Sequence, residues 1–348
     1  MTGGGDPRQA LARDFLARAG WAQARLVPLA GDASARRYAR LVARDGSRAI
    51  LMDASPERGE DVRPFLAVTA WLRARGFAAP EPLAADPERG LLLLEDLGEG
   101  LFARVCARDP GREGELYAAA VDVLVALHRH APPAAFTMPW GAWPLRPYDM
   151  AALTAEAELL PEWYVRAAAG ALPESARAAF RAALAEAVAP VAEAREVLVL
   201  RDYHAENLIW RPDRSGLGRV GLLDYQDALA GHPAYDLVSL IEDARRDTSP
   251  ALRAAMLRRY ARATGTSEAA LGAACAALGA QRNAKIIGIF ARLWLCDGKP
   301  QYLPLIPRVW DHLTRDLAQP GLEPLRRWVA AHVPPPTPAV LARIRGAA

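Results

Sequence analysis

The 348-residue sequence predicts an α+β chain with a small β-rich N-terminal lobe and a larger helical C-terminal lobe. Three observations carry that prediction. Short β-type runs separated by turn-forming residues crowd the first hundred positions. Long Ala- and Leu-rich stretches with helical periodicity fill most of the remaining chain. One compact β-type insert interrupts those helices near residues 197–223. With 52% hydrophobic residues the chain can bury a sizeable core, and its length suits two packed lobes, divided here into residues 1–98 and 99–348.

Taken in order, residues 9–19 read as a short amphipathic helix. Residues 25–29, 37–42 and 49–52 read as strands, joined by turn-forming stretches at 31–34 (GDAS) and 44–47 (RDGS). Residues 63–76 carry Phe65, Val68 and Leu72 at helical spacing and stop at a glycine. After Pro80 and Pro82, residues 91–94 form a further strand that runs into Glu95, Asp96, Leu97 and Gly98, a natural hinge. Residues 115–130, 150–158 and 174–194 then have helical periodicity. The insert supplies short β-type runs at 197–200, 208–210 and 220–223, and helices resume at 235–245 and continue, with Pro-rich breaks, to the end.

Charge is nearly balanced, 43 basic against 40 acidic residues, so the net charge is only +3 and there is no electrostatic footprint for nucleic acid. Lys285 and Lys299 are the only lysines; the other 41 basic residues are arginine. Cys106, Cys275 and Cys296 are odd in number and widely spaced, which excludes a zinc ribbon, a thioredoxin-type site and a disulfide framework. The first residues contain no apolar stretch of signal-peptide type. The apolar segment 286–296 is broken by Arg292 and is too short to span a bilayer. These features predict a cytoplasmic protein without nucleic-acid or membrane partners, and they point to no protein partner.

The insert carries the chemistry: residues 201–207 (RDYHAEN), then 222–227 (LLDYQD). An apolar strand ends in Asp202, Asn207 opens the next strand five residues later, and a third strand ends in Asp224. Three oxygen-bearing side chains thus sit at the ends of neighbouring strands. Asp202 is suited to accept a proton from a hydroxyl or to orient it. Asn207 and Asp224 offer hard oxygen ligands of the kind Mg²⁺ takes together with water and phosphate. A single Asp or Asn at a strand end is ordinarily a turn former; the D-x4-N, strand, turn, strand-D order is the signal. Two look-alikes fail on context. Residues 216–221 fit G-x-G-x-x-G but precede a strand instead of opening a helix, so they read as a hairpin turn. His204 and Glu206 form H-x-E without the P-C-x-x-C of a zinc deaminase.

These segments resemble the catalytic loop and metal-binding Asp of the aminoglycoside phosphotransferase and choline kinase superfamily. The closer resemblance is to bacterial anomeric N-acetylmuramate/N-acetylglucosamine kinases. It extends through 31–34 with Arg36, Arg37 and Tyr38, then 51–54 (LMDA), 92–98 (LLLEDLG), 201–204 with Asn207 and Leu208, 223–227, 235–239 (YDLVS), 281–282 and 288–292, in order across residues 29–303. It implies a protein-kinase-like fold with ATP in the cleft between lobes. It assigns Asp202 as catalytic base and Asn207 and Asp224 as Mg²⁺ ligands. Gly31, Asp32 and Ser34 fall in the turn over the ATP phosphates, and Glu95 to Leu97 form the hinge whose backbone binds adenine. His204, Asp227, Gln281 and Lys285 become candidate acceptor contacts. The implied reaction is ATP-dependent phosphorylation of the anomeric hydroxyl of a small-molecule sugar, N-acetylmuramate or N-acetylglucosamine, in cell-wall recycling. The alternatives are a same-fold kinase for another acceptor (an aminoglycoside, an amino alcohol, a methylthio sugar) and a non-catalytic nucleotide-binding protein.

On a helix read as starting near Gln281, Gln281, Lys285 and Arg292 line either an acceptor pocket or a solvated polar stripe; Gln281 and Lys285 lie four apart and share a face. Asp236 precedes an apolar helix and reads as an N-terminal cap or as a hydrogen-bonding anchor for the catalytic loop. The sequence departs from the superfamily pattern at two places. Leu200 stands where many relatives have His, and the third strand lacks the lysine that commonly holds the α- and β-phosphates. Either an arginine supplies that charge or Mg²⁺ does more of the work. Arg37, just after the GDAS turn, ranks first; Arg36, on the opposite face of the strand, second; Arg48 third.

Overall fold

The structure, a computed structural model, describes residues 6–29 and 35–347. The chain divides into two compact units. The first contains the described residues up to Val105 together with Ala135–Pro144 and Asn207–Asp227; the second contains Cys106–Ala134, Leu145–Glu206 and the described residues from Ala228 onward. The expected break at residue 98 therefore differs from the observed division in two respects. The first unit continues into the next helix, and it reclaims two later segments because their short strands pair back onto it: Trp210 N–H donates to Gly100 O (2.6 Å) and Leu222 N–H to Ala78 O (2.9 Å).

The strands of the main sheet are β1 (Arg25–Pro28), β2 (Arg37–Val42), β3 (Arg48–Asp53), β4 (Pro82–Asp86) and β5 (Leu91–Glu95), in the order β1-β2-β3-β5-β4, antiparallel throughout. Helices α1 (Pro7–Arg18) and α2 (Arg63–Arg73) belong to the same unit. Alternation decides what each strand buries: Leu41, Ala49, Leu51, Leu91 and Leu93 form one core cluster with Phe15 and Leu16 of α1. Four consecutive leucines in β5 are all buried, the pattern of a strand covered on both faces. Gly90 closes the β4–β5 turn at φ +64°, where an added Cβ would stand 1.9 Å from Ala54 O, so only glycine fits.

The remaining strands are short: β6 (Ala135–Met138), β7 (Gly141–Pro144), β8 (Val197–Val199), β9 (Leu208–Trp210), β10 (Val220–Leu222) and β11 (Leu229–Gly231). In the first unit β6 pairs with β7 and β9 with β10; in the second β8 pairs with β11. The Gly-x-Gly stretch is a single 3₁₀ turn leading directly into β10, as its sequence context predicts.

The chain leaves the first unit within α3 (Phe102–Arg108). The second is built from α4 (Glu113–Leu127), α5 (Met150–Ala157), a π-helical turn at Leu160–Val165, α6 (Arg166–Ala169), α7 (Glu174–Ala192), α8 (Ala234–Ile241), α9 (Pro250–Thr264), α10 (Glu268–Asp297), α11 (Ile306–Leu317), α12 (Glu323–His332) and α13 (Pro338–Gly346). The 30-residue α10 is its axis, capped by Ser267 at the start and by Gly298 in the left-handed region at the end, and it packs on α5, α7, α8 and α11. Gly288 lets α10 touch backbone: a Cβ there would lie 2.2 Å from Leu159 C, at the entry to the π-helical turn. Among the described residues no helix is long and apolar enough to cross a membrane.

Candidate active site

In the second unit the site is built on the loop that follows β8. Its anchor is Asp236, fully buried in the first turn of α8. The Asp236 carboxylate accepts from Leu200 N–H (2.7 Å) and Arg201 N–H (2.8 Å). Arg201 is held at φ +71°, an uncommon conformation for a side chain with a Cβ. Ser239 Oγ donates to Arg201 O (3.1 Å), and Arg282 on α10 donates in turn to Ser239 Oγ (2.8 Å). The next residue, Asp202, is fixed by its own backbone: Asp202 N–H donates to Leu200 O (2.9 Å), and Asp202 O accepts from His204 N–H (3.1 Å).

The charges around this loop are ordered. Glu156 on α5 contacts the Arg201 guanidinium, accepts from Tyr148 Oη and pairs with Lys285 Nζ at 3.0 Å. The Arg201 guanidinium also lies over the Tyr148 ring, 5.6 Å from its centroid. Burial alone would raise the Asp202 pKa, but the nearby cations, Lys285 foremost, hold it below the ordinary carboxylate range. Asp202 is thus ionised at neutral pH. Asp236 goes the other way: burial pushes it up to about 7 against the pull of its two N–H donors, with the Asp202 charge adding to the rise. Burial lowers the His204 pKa, so its imidazole is neutral; Arg245 Nη1 lies 3.4 Å from His204 Nε2.

In the first unit the β9–β10 hairpin sets Asn207 and Asp224 at adjacent strand ends, where Leu223 N–H donates to Asn207 O (3.0 Å). Asp224 is the other non-glycine residue with positive φ, +57°, among the described residues. Its carboxylate accepts from Gln226 Nε2 at 2.9 Å and lies 3.5 Å from Asn207 Nδ2. Tyr225 anchors this turn, bonded to Thr69 Oγ1 (2.7 Å) and stacked on Phe65 at 5.2 Å. A carboxylate and an amide so spaced suit a hard divalent cation. Mg²⁺ takes oxygens at about 2.0–2.1 Å, so adjacent ligand atoms stand about 3 Å apart, and rotating the amide presents Asn207 Oδ1 to it. Among the described residues no group of three or more His, Cys, Asp or Glu would hold a metal unaided. A cation here needs further oxygens from water or phosphate.

The other expected site residues fare differently. Gly31, Asp32 and Ser34 lie outside the described residues. Of the arginines ranked for the phosphates, Arg36, placed second, reaches Asp224 (Nη1–Oδ1 3.4 Å), whereas Arg37, placed first, lines a separate cavity of ≈ 150 Å³ with Arg8, Asp53 and Arg58. Adjacent strand residues face opposite ways, so a register misjudged by one exchanges them. Glu95 turns its carboxylate to Arg211 (3.0 Å), and Leu97 is buried against Gly221. Asp227 is exposed and accepts from Gln226 Nε2 (3.1 Å). Gln281 is not solvated: it is fully buried and donates to Leu153 O (2.9 Å), tying α10 to α5. Lys285, one turn on, lies on the same helix face but ends on Glu156 beside the Asp202 loop. Arg292 is exposed. Glu156 and Tyr148 escape a reading of the sequence, because nothing local to either links it to residues tens of positions away.

An ionised carboxylate on a braced loop and a carboxylate–amide pair for a hard cation are what phosphoryl transfer asks of a protein, since positioning and charge do most of that work. Residues 25–271 match the family described as phosphotransferase enzyme family, and the chain belongs to it. It is accordingly an enzyme of the kinase type. Over 94% of its length it is 40% identical to the N-acetylmuramate/N-acetylglucosamine kinase of Caulobacter vibrioides, covering 97% of that protein. It is 36% identical to the protein of the same name in Pseudomonas aeruginosa, over 86% of this chain and 87% of that one. Its fold is that of a choline/ethanolamine kinase family protein from Mesorhizobium loti, with a TM-score of 0.59 at 16% identity, covering 97% of this chain and 99% of that structure. The kinase-like fold expected from the sequence is the one observed.

Proposed function

We propose that the enzyme transfers the γ-phosphoryl group of ATP to the anomeric hydroxyl of N-acetylmuramate and N-acetylglucosamine, giving sugar 1-phosphates. The observation that carries the reading is identity of 33–40% over most of the chain to four proteins named for these acceptors. In this reading Asp202 holds the acceptor hydroxyl in line and takes its proton. Asn207 and Asp224 hold Mg²⁺, which when bound offsets charge on the nucleotide phosphates. An anomeric hydroxyl is more acidic than an ordinary alcohol, so an Asp kept well ionised by Lys285 is a sufficient base. The first unit would serve the nucleotide and the metal, the second the acceptor. With ATP as donor we infer a cytoplasmic location.

A panel of acceptors with coupled ADP detection tests this: both amino sugars, choline, ethanolamine, an aminoglycoside and a methylthio sugar. Turnover with the amino sugars at least about a hundredfold above the rest is expected, and NMR of the product should show phosphorus coupled to the anomeric proton. Efficient turnover of choline or an aminoglycoside, with none of either amino sugar, overturns the acceptor assignment.

A further inference from the structure

The first unit contains no lysine, yet the phosphates of a nucleotide need a protein cation beside the metal site. We propose that Arg36 is that cation, held in place by Glu60, and that it competes with the divalent ion for the Asp224 carboxylate. The inference rests on the nucleotide-binding reading above and goes beyond it in naming the residue and its effect on the metal.

Arg36 sits immediately before β2 with its side chain only 13% exposed. Its Nε lies 3.1 Å from Glu60 Oε2 and its Nη1 3.4 Å from Asp224 Oδ1. Glu60 grips two consecutive residues, since its other oxygen accepts from Ala35 N–H (3.2 Å). The guanidinium is therefore positioned by three neighbours, the Glu60 and Asp224 carboxylates and the Tyr38 hydroxyl, with which it is hydrogen-bonded. Geometry puts phosphate within its reach. Asp224 would hold the divalent ion that accompanies the phosphates, and Arg36 Nη1 already stands 3.4 Å from its Oδ1. Arg37 points elsewhere, into the cavity with Arg8, Asp53 and Arg58. Arg48 is about half exposed and pairs with Glu99 (3.3 Å).

Two consequences arise from one residue. Removing the guanidinium takes a cation from the phosphates, so nucleotide binds less well. It also leaves the Glu60, Asp224 and Asp227 carboxylates less neutralised, so a bare divalent cation binds better. Purified full-length Arg36→Gln, Arg36→Lys, Glu60→Gln and Arg37→Gln should be compared with wild type by calorimetry for Mg²⁺–ATP without acceptor, and by electron paramagnetic resonance for Mn²⁺ without nucleotide. Arg36→Gln should weaken ATP binding about tenfold or more and tighten Mn²⁺ binding several-fold. Arg36→Lys should recover part of the ATP affinity, and Glu60→Gln should lose several-fold. Wild-type ATP affinity in Arg36→Gln, or a loss confined to Arg37→Gln, overturns the assignment; unchanged or weaker Mn²⁺ binding in Arg36→Gln overturns the competition. Should Arg36→Gln not fold, as judged by circular dichroism, Arg36→Lys decides by the same ATP readout, weakened binding upholding the proposal and unchanged binding ending it. If wild type itself does not bind ATP, the nucleotide reading fails first.

Discussion

Replacing Asp236 by Asn removes one of the two acceptors that brace the Asp202 loop. The Asp236 carboxylate receives Leu200 N–H at 2.7 Å and Arg201 N–H at 2.8 Å, both in the interior. An amide supplies one acceptor and turns an NH₂ toward the other N–H, leaving that donor unpaired, at a cost of about 1–3 kcal/mol. Arg201 holds φ +71°, a conformation that itself costs about 1–2 kcal/mol and is kept by these bonds. Losing the brace therefore tips the loop by roughly the energy that kept it, and a shift of about 1.4–2.8 kcal/mol is a factor of about ten to a hundred in the competent population. We expect kcat to fall by about that factor with little change in ATP affinity. Protonation of the native residue makes the same defect, because one oxygen becomes a hydroxyl. With the Asp236 pKa near 7, wild-type kcat should decline as pH falls through neutrality, and Asp236→Asn should lack that limb. Stability runs in the opposite direction. The folded pKa lies above the ordinary 3.8, so the native state binds this proton more tightly than the unfolded chain does. The benefit is full below pH 3.8 and is lost as pH rises to 7, about 4 kcal/mol in all. At pH 8, then, the variant should be slow without being correspondingly unstable. Coupled assays from pH 5.5 to 9, with urea melts at both ends, read this out. Wild-type kcat at pH 8 in the variant, or a persisting limb at 7, would refute the reasoning.

Asp202→Asn should lower kcat by about a hundredfold or more while calorimetric ATP affinity stays near wild type, and near-normal turnover would remove Asp202 from its role. Asp224→Ala should abolish metal-dependent ATP binding and Asn207→Ala weaken it less, since a neutral amide holds a dication less strongly; Mg²⁺ titrations of nucleotide affinity check both. Lys285→Met takes away the foremost cation holding down the Asp202 pKa, so that pKa rises and activity at pH 6 should fall more than at pH 8. This is read most cleanly with Asp236→Asn also present, and a flat pH 6 to 8 ratio would contradict it. Gly288→Ala forces a methyl group to within 2.2 Å of Leu159 backbone, so the helices must part. A loss of at least about 1–3 kcal/mol and a melting temperature lower by several degrees are expected in a thermal scan, and an unchanged melt would show that α10 has room to move.

The elements most legible in the sequence are those whose pattern is local. β2 begins and ends where alternation and the flanking turns put it, and β5 is evident from four leucines followed by Glu-Asp. The strands β6, β7 and β11 are not legible, because Pro-, Gly- and Ala-rich segments such as Leu229–Gly231 have no strand signature and are recruited by their partners. The helix containing Gln281 starts at Glu268 instead of near Gln281, since residues 268–280 are so rich in alanine that no polar face marks them. Asp202, Asn207 and Asp224 stand out through their fixed spacing along the chain. Their surroundings do not: Glu156, Lys285 and Arg201 meet only through packing of α5 on α10, and Arg36 differs from Arg37 by a single position of register.

Arg201 and Asp224 are the two non-glycine residues with positive φ among the described residues; one lies next to the candidate base Asp202, and the other is itself a candidate metal ligand. Glycine at Asp224 would relax the backbone by about 1 kcal/mol and delete the carboxylate in the same stroke. Directed evolution that scored only thermal persistence would thus be drawn toward glycine there and would yield tougher proteins that no longer work. For anyone engineering this enzyme, residue 224 should be frozen in the library before any screen for heat tolerance begins.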